Sequence, residues 1–135
     1  PLFREAGVAY ERMIARLPAP TADDFAQLAD VLQGVPDREA AAAAALHRAF
    51  ELDPSKLDYL RDEALLLAQI VDRRAEALAL LKRYRDAVAR ASPDKAAEID
   101  RSIGTLEYEL EKDAETKAGG GKQPGGKQPG GGKSG

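Results

Sequence analysis

The chain has no cysteine and no tryptophan, and only one histidine in 135 residues. Without cysteine there is no disulfide, no thiolate metal ligand and no Cys–His nucleophile pair. Aromatic residues make up only 5%, so a core has to be assembled from Ala, Leu, Ile and Val. No apolar run approaches the roughly 20 residues that cross a bilayer as a helix. The opening Pro1-Leu2-Phe3-Arg4-Glu5 lacks the basic-then-apolar plan of a signal peptide. It also lacks an initiator Met, so Pro1 is expected to be a cut edge. What remains is 44% hydrophobic and 32% charged, a balance that suits one globular domain.

A net charge of −3 conceals two regions of opposite sign. Residues 117–135 contain Lys117, Lys122, Lys127 and Lys133 and no acid, whereas residues 1–116 carry 16 basic and 23 acidic groups, or −7. Nine of the 12 glycines also fall after residue 117. That segment repeats Gly-Gly-Lys-Gln-Pro with small variation and offers no large apolar side chain to anchor a fold, which predicts a disordered tail. The domain is therefore expected to be 1–116 and the tail 117–135.

Within the domain, apolar residues recur three and four apart, the period of a helix with one buried face. The first helix carries Phe3, Ala6, Tyr10, Met13, Ile14 and Leu17, and stops at Pro18. Thr21 with Asp24 has the spacing of a capping box for a second helix, which places Phe25, Leu28, Ala29 and Leu32 on one side. Asp37 is expected to cap a third, running from the Ala40–Ala45 segment through Leu46, Ala49 and Leu52 to Pro54. Ser55 with Asp58 repeats the pattern for a fourth helix bearing Leu57, Leu60, Ala64, Leu67 and Val71. A fifth spans about 73–91 with Ala77, Leu78, Leu81, Tyr84 and Val88 inward. Ser92-Pro93-Asp94 opens a sixth with the narrow stripe Ile99, Ile103, Leu106 and Leu110. The predicted fold is all-α, with short connections that make sequential helices antiparallel neighbours.

The order Phe25, Leu28, Ala29, Leu32, Ala42, Leu46, Ala49, Pro54 resembles one tetratricopeptide repeat, including its ending Asp53-Pro54. Ala6, Tyr10, Met13 and Pro18 repeat the spacing of Ala42, Leu46, Ala49 and Pro54, as the second half of a preceding repeat would. The next unit departs: Glu63 stands where a large apolar residue belongs and Tyr84 where a small one does. Proline-to-proline distances of 36 and 39 also exceed the family period of about 34. The resemblance implies antiparallel hairpins stacked as a short tetratricopeptide-like α-solenoid. Its parts are a half repeat at 1–18, a repeat at 21–54, a divergent repeat at 55–91 and a capping helix at 93–116.

Residues for catalysis are scarce. His47, the sole histidine, lies beside Leu46 at the edge of an apolar face and reads as structural or solvated. Glu107, Glu109, Glu111, Asp113 and Glu115 alternate along a helix and so point in different directions. Gly132-Lys133-Ser134 lacks the strand, spacing and helix of a phosphate loop. Four lysines without arginine or aromatic residues make a poor nucleic-acid groove, and an acidic body repels the same backbone. No catalytic residue, metal site or cofactor is predicted, and no nucleic-acid partner.

The tetratricopeptide resemblance implies a concave surface lined by the first helix of each pair. Its facing positions would be Asp23, Ala26, Gln27, Asp30 and Gln33, then Asp58, Arg61, Asp62, Leu65 and Gln69. Members that clamp a C-terminal carboxylate place Lys, Arg and Asn there, whereas this set has four acids and one Arg. The expected ligand is a basic or neutral segment of a protein or peptide partner. Two other roles fit the same sequence. One is an oligomerising bundle that self-associates through its N-terminal edge, and the other is an accessory domain of a larger protein.

Overall fold

Thr21 sits in extended conformation, where its hydroxyl accepts from the Asp24 amide at 3.1 Å and its own amide donates to the Asp24 carboxylate at 2.8 Å. This reciprocal pair is the predicted capping box, and it satisfies two amides that a helix start leaves open. The helix it begins is the second of six in the computed structural model, which describes residues 2–119 with side chains from Arg4 onward. These are α1 (Leu2–Arg16), α2 (Ala22–Gln33), α3 (Glu39–Leu52), α4 (Leu57–Leu67), α5 (Arg74–Ala89) and α6 (Pro93–Ala118). A short 3-10 turn, Val71–Arg73, precedes α5, and the described residues contain no strand. The greater part of the Gly- and Lys-rich segment lies outside the described residues.

The other predicted caps differ. Asp37 adopts φ 65° and stands one residue too early, so α3 opens from Arg38 with no side-chain cap. The Ser55 hydroxyl is taken by the Asp53 carboxylate at 2.6 Å, and α4 starts after Lys56 instead. Ser92 makes no capping bond, although Pro93 does occupy the first turn of α6. Two boundaries also move. The fourth helix ends at Leu67, leaving Val71 56% exposed in the 3-10 turn. The sixth continues through Lys117 and Ala118, two residues into the segment read as tail.

Each helix packs chiefly on its neighbour in sequence, from α1 on α2 through to α5 on α6. The deepest positions are small: Ala29, Ala42, Ala49, Ala64 and Ala77 are essentially inaccessible. Alanine at a contact brings helix axes close together, and Leu32, Leu60 and Leu67 fill the space between. Burying each of these leucines contributes roughly 1.5–3 kcal/mol. The short connection from Ala89 to Pro93 makes the last pair antiparallel, and three ion pairs lie along it, Arg74–Asp113 (3.0 Å), Lys82–Glu107 (3.4 Å) and Arg85–Asp100 (2.8 Å). Residue numbers rise along α5 as they fall along α6.

The first helix corrects a detail of the repeat pattern. Ala6 and Met13 are exposed, while Gly7 and Ile14 are buried against α2. A Cβ on Gly7 would lie 3.3 Å from both Leu32 Cδ2 and Val35 Cγ2, so glycine permits the close approach there. The Ala6–Met13 spacing therefore does not lie on the face packed against α2. The side chain of Phe3 falls outside the described residues.

Candidate interaction surface

The ten residues predicted to line a groove separate into two sets. On α2, Asp23, Gln27, Asp30 and Gln33 are exposed and Ala26 is half-buried. The Tyr10 hydroxyl of α1 donates to Gln27 Oε1 at 2.6 Å, and Gln27 Nε2 donates to Asp23 Oδ2 at 2.7 Å. This chain ties one turn of α2 to α1, leaving Asp30 and Gln33 without side-chain partners among the described residues. On α4, Asp58 and Leu65 are exposed, and Arg61 and Asp62 half-buried. Gln69 lies beyond the helix end, in the turn before Val71.

Arg61 does not present a free charge. Its Nε donates to Asp62 at 2.9 Å and its Nη1 lies 3.5 Å from Asp58. Partial burial works against the guanidinium's charge. The hydrogen bond to Asp62 and the charges of Asp62 and Asp58 outweigh that cost and hold its pKa above the ordinary value. Among the described residues no hydrogen bond or ion pair joins the α2 set to the α4 set.

Of the α4 set only Leu65 borders a concavity, whose other wall is α6. A shallow groove of about 210 Å³ runs between the two helices. Its floor includes Ala64, Leu81 and Leu106, all buried, and its rim Leu65, Ser102, Thr105 and Glu109. Leu65 is 45% exposed there, an apolar side chain standing at the mouth of an apolar-floored groove. Ser102, Thr105 and Glu109 were missed when α6 was read only as a cap. Their spacing of three and four, flanking the buried Ile103 and Leu106, was the available signal.

A second polar cluster lies at the contact of α3 with α4. Glu63 is buried, 4% exposed, and its carboxylate lies 3.2 Å from His47 Nδ1. The opposite ring nitrogen, Nε2, is 3.3 Å from Glu51. Burial pushes the Glu63 carboxyl above its ordinary pKa, against the attraction of His47. Glu51 and Glu76 are held below theirs, chiefly by hydrogen bonds from Arg48 and Arg73 respectively. His47 is thus half-exposed and oriented by two carboxylates. Among the described residues, no Ser or Thr side chain is hydrogen-bonded to it.

No family model, curated protein or solved structure matches the chain. Among the described residues, no helix is long and apolar enough to cross a membrane.

Proposed function

We propose that this chain is a tetratricopeptide-like interaction module, a short solenoid of helix hairpins that receives a segment of a partner protein. The observation that carries the reading is the groove between α4 and α6, with an apolar floor and Leu65 exposed at its mouth. Burial of small residues at every step of the helix stack supports the solenoid, since repeats of this kind need close helix approach. In that arrangement the first helix of each pair, α2, α4 and then α6, lines one continuous surface. Asp30, Asp62 and Glu109 give its rim an acidic character, which selects a basic or neutral segment with an apolar side chain for the floor. The reading assigns no catalytic step to the chain.

A displayed peptide library, selected on the whole chain and on two variants, tests this. Leu65→Asp should abolish enrichment by placing a charge over the apolar floor. Asp30→Lys with Asp62→Lys should shift enrichment from basic to acidic peptides. Peptides that bind all three proteins equally would place recognition elsewhere, and no enrichment on any of them would sink the reading.

A further inference from the structure

We infer that the outward face of α1 is a self-association surface, which seats α1 of a second copy of this chain in antiparallel orientation. The helix packs chiefly on α2. Its apolar arc is wider than that contact: beyond the buried Gly7 and Ile14 it continues through Tyr10 to Ala6, Ala9 and Met13. Those last three are exposed, Met13 by 45%. An apolar stripe of this width on a helix is ordinarily covered along its whole breadth, and the two alanines leave room for another helix to approach closely.

Charge selects a second copy as the occupant. Glu5, Arg12 and Arg16 form one margin of the exposed stripe, with the acid toward the N-terminal end and the bases toward the C-terminal end. All three are exposed and, among the described residues, none has an ion-pair partner. Glu11, by contrast, is already held by Arg38. Place two such helices antiparallel, with a two-fold axis passing beside Ala9. The charged margins then fall on the same side of the pair. Glu5 of each copy stands within about one residue's rise, ~1.5 Å along the axis, of Arg12 of the other. A parallel pair would carry the two charged margins to opposite sides, where Glu5 and Arg12 of different copies could not meet. The contact is isologous and closes at two copies, with no open edge for further growth.

A pair of 15-residue helices covers less than the roughly 1,200 Å² of a stable interface. The dimer is therefore weak and concentration-dependent, on the order of tens of micromolar or weaker.

Sedimentation equilibrium of the full chain from about 5 to about 500 µM reads this directly. A monomer–dimer equilibrium is expected. Met13→Glu should weaken it by roughly tenfold or more, and Glu5→Arg should do so by setting like charges opposite each other. The double variant Glu5→Arg with Arg12→Glu should restore the native dissociation constant, because the pairing is merely exchanged. All of these positions are exposed, so far-UV circular dichroism should be the same for every variant. A monomer at every concentration would leave this face to a helix of another protein and overturn the inference. So would a dimer indifferent to Met13→Glu, or a double variant no better than Glu5→Arg alone.

Discussion

The carboxylate of Glu63, buried at the contact of α3 and α4, lies 3.2 Å from the Nδ1 of His47, the only histidine in the chain. The tetratricopeptide resemblance implies a large apolar residue at this position, and the protein holds a carboxyl group there instead. Burial raises the carboxyl's pKa while His47 and Arg73 act against that rise and Glu76 adds to it. Because the folded pKa lies above the unfolded one, the folded state binds this proton more tightly. The group's cost is fully present well above the folded pKa and is relieved as pH falls through it. Glu63→Leu should therefore stabilise the fold at pH 7, by about 1 kcal/mol, with the gain shrinking toward pH 4. Thermal unfolding of both proteins at several pH values checks this. Destabilisation throughout would mean that the contact with His47 outweighs the burial cost.

Gly104 lies in the middle of α6, and a Cβ there would meet nothing within 4 Å. Gly104→Ala should stabilise the fold by about 1 kcal/mol through helix propensity alone. Gly7→Ala meets Leu32 and Val35 at 3.3 Å, so the same gain is offset by repacking. The two melting temperatures, measured side by side, should differ in that order.

Thr21→Ala removes the hydroxyl that caps α2 and leaves the Asp24 amide without its partner. The expected loss is about 1 kcal/mol, readable as a lower midpoint in urea with an unchanged slope.

Arg74 joins two elements. Its Nη1 donates to both Asp113 oxygens at 3.1 and 3.0 Å, and its Nε donates to the Ala68 carbonyl at 3.2 Å. Arg74→Ala should loosen the end of α6 before the rest of the fold. Amide exchange should accelerate from about residue 108 onward while α2 and α3 stay protected. Uniform acceleration along the chain would show that the pair supports the whole domain.

Much of the fold was legible because its signals are local. The prolines and Gly34 punctuate the helices, and the apolar period placed Leu28, Leu46, Leu60, Leu81 and Leu106 inward, where they are buried. The misses have physical reasons. Gly7 carries no apolar side chain, so hydrophobic patterning passed over a residue that is buried where α1 meets α2. Ser55 had a nearer acceptor in Asp53, and Asp37 was diverted into a left-handed turn. The groove between α4 and α6 was legible on one side only. Leu65 was expected on a face shared with α2; the wall that it meets instead, α6, depends on which helices end up adjacent, and a helix read as a cap conceals that.

Packing each helix on its sequence neighbour has a kinetic consequence. The contacts that build the core mostly close short loops, so the chain surrenders little loop entropy before the first contacts reward it. Such a domain should fold in microseconds to milliseconds. In the proposed solenoid, folding would begin at whichever hairpin forms first and spread in both directions, as a zipper closes from any point along its length.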